Sequence, residues 1–441
     1  MEIIERYRQK FDGMSEKEQI RFLAMIIAFA TVIFAIALII TDFLTGGFDD
    51  PSVSFSDVAH YYKNISEITD KHLWPYSETP LEYPPFTLVV FLIPKLAVWV
   101  WPIYHIAYDL FAGFAFVVFA YLLYRIYQIL GKELYPVLTY IVLITVICNQ
   151  MVFDRNDIFA AAFITGALYL CLKDRVCLPA VLIACAAMIK IYPVVLVPIF
   201  MLFFVSKREW KNAFMFMIVS GLVCLLMELP FMIYDLGTSF SWVTYHSGRG
   251  LQVEGVVSSF VVMANFFVPC IDSIYLDDSQ SITLHGEFPD AVASVMDKVM
   301  IIMMVLAIVL MAVRAYRRGS KGMKEDFRLL AMMSLLMVMT FITFSKVYSA
   351  QYSLWMLTLV PFIVSKGTES DDRFLKAVLI FCIPSFVSQC VAWTMGSTAI
   401  DNLVAVIIFI KNLAHLYLYY ALIRLFLDYT KVSTEPVAQA E

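Results

Sequence analysis

The amino-acid sequence predicts an all-α polytopic membrane protein. Of its 441 residues, 61% are apolar and only 16% are charged, and the mean hydropathy is +0.78. Soluble domains carry about 25% charged residues, so this composition lies outside their range. The apolar residues form long runs that charged turns separate, which is the pattern of repeated membrane-spanning helices.

The first span follows a charged leader, residues 1–21. Its apolar run extends from Phe22 to Ile40 and lacks a small-residue cleavage site, so we expect a retained span. Ser15 followed by Glu18 predicts a capping box at the start of the helix. We expect one transmembrane domain over 22–426 and a cytoplasmic tail over 427–441. The predicted spans, about twelve in number, lie near 22–41, 104–124, 134–149, 157–172, 178–190, 192–205, 213–234, 295–313, 329–345, 352–365, 374–395 and 402–423.

Basic residues decide the predicted orientation. If the leader is cytoplasmic, the loops rich in Lys and Arg, such as 314–328, all lie on the cytoplasmic side, as the positive-inside rule requires. Two further apolar runs lie at 86–101 and 256–269. If only one of them crossed the membrane, every basic loop after it would lie on the opposite side. We therefore expect external half-spans or surface-lying helices there. Both termini are then cytoplasmic, in the cytoplasmic (plasma) membrane, and the long loops 42–103 and 236–294 are external.

Composition and cysteine spacing exclude several classes of function. The formal charge of −5 is mild, and no basic tract suggests a nucleic-acid partner. The eight cysteines lie almost all within apolar runs, with no Cys-x-x-Cys spacing and no nearby His. Neither a disulfide framework nor a metal site is therefore expected. No cofactor is expected either.

Short blocks of polar and aromatic residues lie on the predicted external side. They are Asp57 with Tyr61, Trp74-Pro75-Tyr76, Glu82-Tyr83-Pro84-Pro85, Arg155-Asn156-Asp157, Lys190-Ile191-Tyr192-Pro193, the stretch from His246 to Glu254, and the stretch from Lys346 to Tyr352. In this order the blocks resemble the GT-C glycosyltransferases, particularly the polyprenyl-phosphate-sugar enzymes of family 87, over roughly residues 20–365. The resemblance implies a GT-C fold with external juxtamembrane helices.

The chemistry that the resemblance implies needs few groups. A sugar on a lipid phosphate is already activated, so the enzyme must deprotonate an acceptor hydroxyl and neutralise a departing phosphate. Asp57 matches the loop carboxylate that the superfamily uses as a base. Two alternatives stay open. Asp57 merely caps a surface helix, or the base is Asp49 or Asp50, although an Asp-Asp before proline is more typical of a turn.

Arg249 and His246 are the first candidates for the donor phosphate. A guanidinium pairs bidentately with phosphate, and the glycines on both sides of Arg249 let the backbone approach closely. An exposed, flexible Gly-Arg-Gly turn is the alternative. His246 titrates near neutral pH and is therefore suited to protonating or hydrogen-bonding the leaving phosphate.

Two lysines complete the predicted phosphate site. Lys346 lies at an external span end, where it either snorkels or belongs to a polar wall. Lys190 interrupts apolar sequence, which is costly without a partner, so we expect it to meet Asp157, Glu228 or the phosphate. Arg155 and Asp157 either form a local ion pair that closes a turn or contact the ligand. The residues expected to bind sugar or acceptor are Tyr61, Glu82, Tyr83, Arg155, Asp157, Gln252, Glu254, Gln351 and Tyr352.

The function predicted from these residues and the resemblance is an inverting glycosyltransferase. It would take a sugar, mannose first and arabinofuranose second, from a polyprenyl-phosphate carrier. The acceptor would be a lipid-linked glycan or glycolipid on the external membrane face. Two alternatives remain: a secondary transporter or flippase, which about twelve spans would suit, and a glycan polymerase or ligase that uses lipid diphosphate donors.

Overall fold

The structure, a computed structural model, describes residues 2–47, 56–98, 100–276, 281–392 and 402–431. Helices make up about three-quarters of these residues, and the predicted all-α polytopic fold class is confirmed. One extended apolar core, which includes Phe116, Leu330 and Phe362, runs between the helices.

The helix boundaries follow the apolar runs with small shifts. In chain order the α-helices are α1 (Glu2–Asp12), α2 (Glu16–Thr45), α3 (Asp57–Asp70), α4 (Thr87–Ala97), α5 (Trp101–Leu130), α6 (Tyr135–Cys148), α7 (Asp157–Cys171), α8 (Cys177–Ile189), α9 (Leu196–Ser206), α10 (Trp210–Tyr234), α11 (Ser241–Ser247), α12 (Val256–Asn265), α13 (Glu287–Arg318), α14 (Met323–Phe344), α15 (Tyr352–Leu357), α16 (Val360–Ile363), α17 (Glu369–Ala392) and α18 (Asn402–Tyr429). Short 3-10 helices at Asn149–Val152 and Tyr192–Val195 follow α6 and precede α9.

Among the described residues, eight helices are long and apolar enough to cross a membrane: α2, α5, α6 with its 3-10 extension, α10, α13, α14, α17 and α18. The predicted spans at 157–172, 178–190, 192–205 and 352–365 correspond to helices of 17 residues or fewer, so crossings there stay predictions. The capping box at the start of α2 is confirmed, since Glu18 Oε2 accepts a 2.8 Å hydrogen bond from the Ser15 N–H. α18 continues through Tyr429, past the boundary predicted at 426.

The two apolar runs at 86–101 and 256–269, which conflict with the predicted membrane orientation if either crosses alone, contain short helices. α4 has 11 residues and α12 has 10, well below the ~20 residues of a spanning helix. Pro84 and Pro85 stand directly before α4, where their carbonyls accept hydrogen bonds from Thr87 and Leu88. Because proline has no N–H, the pair cannot extend the helix backwards and instead fixes its start.

A small antiparallel sheet departs from the all-α expectation. Strands β1 (Leu251–Gln252), β2 (Ser273–Leu276) and β3 (Ile282–His285) lie in the order β1-β3-β2. The Gln252 N–H donates to the Lys346 carbonyl at 3.0 Å. The sheet therefore joins the loop of the His246–Glu254 block to the turn that follows α14.

Helix α3 is fixed against its neighbours at both polar and apolar contacts. Lys95 on α4 donates 2.9 Å hydrogen bonds to Ser66 and Asp70, and its side chain is 1% exposed. The buried Tyr61 ring stacks on Phe91 with centroids 4.2 Å apart. These contacts fix the middle and the C-terminal end of α3, the helix whose first residue is the candidate base.

Candidate active site

Asp57 is the first residue of α3 and forms an ion pair with Arg155. The N-cap of this helix is Ser56, whose hydroxyl accepts a 3.0 Å hydrogen bond from the Val58 N–H. The alternative that Asp57 is merely the cap is therefore wrong. Asp57 keeps 34% of its side chain exposed, whereas Arg155 keeps 15%. An accessible carboxylate thus faces a largely buried guanidinium.

Asp157 pairs with Lys190 and not with its neighbour Arg155. Lys190 Nζ lies 3.2 Å from Asp157 Oδ2 and 3.0 Å from Asn156 Oδ1. Asp157 is fully buried, and its other oxygen accepts a hydrogen bond from the Trp355 indole. The interpretation of Arg155 and Asp157 as a local ion pair is wrong, because the turn that carries them aims the two side chains at different partners.

The Glu82-Tyr83-Pro84-Pro85 block supplies one wall of the site. Glu82 Oε2 lies 3.2 Å from Arg249 Nη2, and Glu82 Oε1 lies 4.0 Å from His60. The Tyr83 ring lies under the Lys190 ammonium at 5.0 Å. Tyr61 packs edge-on against Tyr83, with centroids 5.8 Å apart. Because Tyr61 is 0% exposed, it supports the wall rather than lining it.

Arg249 also borders an open cavity of about 670 Å³. The residues around this cavity include Leu81, Tyr245, His285 and Asp290. The Arg249 guanidinium lies 5.0 Å from the Tyr245 ring centroid. Gly-Arg-Gly is therefore not a fully exposed turn, since the Arg249 side chain is only 10% exposed.

The block from Lys346 to Tyr352 follows α14 and meets the sheet at the Lys346 carbonyl, which accepts the hydrogen bond from the Gln252 N–H. Lys346 is buried and donates a 2.8 Å hydrogen bond to Asp297 on α13. Gln252 donates to the Ser349 hydroxyl at 3.1 Å. The Tyr352 ring stacks on Trp355 at 3.7 Å. Gln351, the next residue back, is partly buried.

Glu254 receives a partner that sequence reasoning did not find. Lys411, in the middle of α18, places its ammonium 4.0 Å from Glu254 Oε1. The side chain of the next residue, Asn412, donates hydrogen bonds of 3.2 and 3.0 Å to the carbonyls of Glu254 and Gly255. The last helix is therefore part of the candidate site.

A second cluster of buried ionisable groups lies behind α3. His105 Nδ1 is 3.4 Å from Asp42, and His105 Nε2 is 3.8 Å from Asp109 and 3.7 Å from Asp154. Ser56 hydrogen-bonds Asp154 and lies 3.3 Å from His105. Sequence reasoning missed this cluster. The available signal was His105 and Asp109, four residues apart inside an apolar run, since ionisable residues at such depth are rare and functional by default.

Burial sets the electrostatics of the turn residues. It lowers the pKa of Arg155 to about 10, against the opposing effect of Asp157 and Glu254, so the guanidinium stays charged at neutral pH. Burial raises the pKa of Glu254, which Lys411, the Ala350 N–H and Arg155 oppose. Arg155 and Glu254 therefore stabilise each other's charge.

Some predicted residues lie outside the described part of the chain. Asp49 and Asp50, the alternative bases, are among them. His246 lies in α11, but its side chain is outside the description, so its expected contact with the phosphate stays a prediction.

Comparison with known protein families identifies the family of the chain. A family model described as glycosyltransferase family 87 matches residues 81–345, more than half of the chain. The matched segment contains Glu82, Tyr83, Arg155, Asp157, Lys190, His246, Arg249, Gln252 and Glu254. It begins after Asp57 and ends before Lys346. No curated protein matches the chain.

Proposed function

Because the chain belongs to glycosyltransferase family 87, we propose that it moves a sugar from a polyprenyl-phosphate carrier to a lipid-linked glycan or glycolipid, with inversion. The family and the helical architecture together make it a membrane glycosyltransferase of the GT-C kind. Mannose is the first choice of sugar and arabinofuranose the second.

The observation that carries the proposed mechanism is the ion pair of Asp57 and Arg155. A general base must reach the acceptor hydroxyl, and its cationic neighbour must be able to leave it. Asp57 is accessible enough for the first requirement. Arg155 meets the second, because a donor phosphate competes with Asp57 for the same guanidinium and binds it bidentately. Transfer of Arg155 to the phosphate would free Asp57 for the acceptor.

The other cations of the site would neutralise the rest of the charge on the donor phosphate. Arg249 and Lys190 each hold a carboxylate partner, Glu82 and Asp157 respectively. Fixed cations at the position where charge develops stabilise the transition state without reorganising at the moment of reaction. We assign His246 and Lys346 to the same role, in which Lys346 would have to exchange its hydrogen bond with Asp297 for the phosphate.

We propose an external active site on the positive-inside rule. The basic segment 314–328 runs from the end of α13 into the first turns of α14. The 22 residues of α14 make a rod of about 33 Å from this basic end to the turn after Phe344. That length matches a bilayer core of about 30 Å. The site and the basic loop therefore fit opposite membrane faces, with the basic loop cytoplasmic.

The test is transfer of radiolabelled sugar from polyprenyl-phosphate-mannose, and in parallel from the arabinofuranose donor, to a membrane lipid extract. We expect product with the wild type and a loss of at least ~100-fold with Asp57→Asn, the range that removal of a general base gives. Arg249→Ala should lower activity by a comparable factor. Glu67→Gln is the matched control, because Glu67 lies on the same helix and makes only an exposed pair with Lys71.

Three results would contradict the proposal. Full activity of a folded Asp57→Asn variant would move the base to Asp49 or Asp50. Product from a lipid diphosphate donor and none from the monophosphate would favour a polymerase or ligase. Substrate-dependent flux across vesicles without any glycan product would favour a transporter.

A further inference from the structure

Lys411 is a buried lysine in the middle of the last helix. Its side chain is 2% exposed, and among the described residues its ammonium has no hydrogen-bond partner. The ammonium lies 4.0 Å from the Tyr348 ring centroid and 4.0 Å from Glu254 Oε1. A lysine at this depth is costly unless a partner compensates it. Glu254 is the carboxylate that the structure places there.

The same helix also holds the backbone of Glu254. The Asn412 amide donates to two successive carbonyls, those of Glu254 and Gly255. The turn is too tight for a side chain at Gly255, where a Cβ would lie 2.7 Å from the Ser258 hydroxyl. α18 therefore holds Glu254 in two ways: Lys411 attracts its carboxylate, and Asn412 hydrogen-bonds its backbone carbonyl.

Glu254 also interacts electrostatically with Arg155. Its charge and that of Arg155 stabilise each other, and the Ala350 N–H lowers the pKa of the Glu254 carboxyl further against the effect of burial. Arg155 in turn holds Asp57. Two ion pairs, Lys411 with Glu254 and Arg155 with Asp57, are thus coupled through the longer-range attraction between Glu254 and Arg155.

We propose that Lys411 and Asn412 are positioning residues for transfer, which hold an ionised Glu254 against Arg155. The inference rests on the proposed function, in which Arg155 moves between Asp57 and the donor phosphate. It assigns a role to α18, which lies outside the segment that matches the family. The charge of Glu254 then keeps the Arg155 guanidinium from moving completely to the donor phosphate, so that it stays within reach of both the phosphate and Asp57.

The pH dependence follows from the groups around the pair. Glu254 faces Lys411 and Arg155, and Lys411 also has His415 one turn away on α18 and the Tyr348 ring beside it. Of the other helices packed against α18, α12 has no charged residue, and α17 has its charged residues within its first eight, Glu369 to Lys376. Burial already raises the pKa of Glu254, so removal of the ammonium raises it further. The acidic limb of the activity profile then moves to higher pH.

The experiment is a double-mutant cycle on transfer activity, with Lys411→Met, Glu254→Gln and both together. Lys411→Met should lower kcat at neutral pH by roughly tenfold or more, as for a coupled pair, and regain part of it as the pH rises. The double variant should be no worse than Glu254→Gln alone. Lys411→Arg should retain most of the activity and the wild-type profile. Lys431→Met is the control, because that lysine is exposed beyond α18.

Additive losses in the cycle would overturn the inference, and so would a pH profile of Lys411→Met that matches the wild type. In either case the proposed function stands as long as the wild type transfers sugar. Absence of wild-type transfer would instead count against the proposed function. The inference is then decided by the same cycle on unfolding in detergent micelles, where no coupling between Lys411 and Glu254 would overturn it. If Lys411→Met does not fold, the double variant Lys411→Met/Glu254→Gln, which has no charge at either position, and Lys411→Arg still test whether activity depends on the charge pair.

Discussion

Replacing Lys190 with methionine should destabilise the protein more than any surface lysine change. The substitution leaves the Asp157 carboxylate fully buried, with the Trp355 indole as its remaining described donor. Breaking a buried pair by removing one partner costs about 3–5 kcal/mol, and the indole bond places this site near the lower end. Asp157→Asn should cost less, about 1–2 kcal/mol, because Lys190 keeps Asn156 and the Tyr83 ring.

The measurement is unfolding in detergent micelles, followed by far-ultraviolet circular dichroism, for both single variants and the double variant. The double variant should lose less than the sum of the two single losses, because neither charge is left alone. Lys71→Met is the control, since Lys71 forms an exposed pair with Glu67 worth at most about 0.5 kcal/mol. Additive losses, or a Lys190→Met variant as stable as the control, would refute the buried-pair reasoning.

The remaining predictions concern the groups that hold α3. His105→Leu should lower both stability and transfer, because it removes the imidazole that lies within 3.4 to 3.8 Å of three buried carboxyl groups, those of Asp42, Asp109 and Asp154. Asp109→Asn, which keeps the size and the hydrogen-bonding capacity of the side chain, should be tolerated, and equal losses in the two variants would contradict this. Lys95→Met should release the C-terminal end of α3 from α4 and speed proteolysis of that segment, whereas an unchanged cleavage rate would show that aromatic packing alone holds the helix.

Composition and apolar run length were enough to predict the fold class and the approximate position of the long helices. Burial in lipid demands internally satisfied backbones, so an apolar run of sufficient length has few alternatives to a helix. The small sheet could not be predicted in the same way. Its strands have two to four residues, which is too short for a period of two to be recognised.

The candidate residues were easier to predict than their partners. A local pair of Arg155 with Asp157 was one of two interpretations, but the structure pairs Arg155 with Asp57. Lys190 was expected to meet Asp157, Glu228 or the phosphate, and the structure shows it with Asp157. Within a turn, the direction of each side chain depends on backbone angles that residue type alone does not specify. Lys411 had no partner in the sequence for a similar reason, since Glu254 lies on a distant loop and only the packing of α18 brings it close.

The ion pairs of the site also bear on which carboxylate can serve as the base. Among the described residues, the acids and bases of the site are paired as Asp57 with Arg155, Asp157 with Lys190, Glu82 with Arg249, and Glu254 with Lys411. An anionic donor must compete for one of these cations, and the carboxylate that it releases becomes available to the acceptor. Release of Asp157 would leave it fully buried beneath Trp355, where a hydroxyl cannot reach it. Release of Asp57 leaves a carboxylate that is one-third exposed. The difference in exposure, more than the position in the sequence, is why we propose Asp57 as the base.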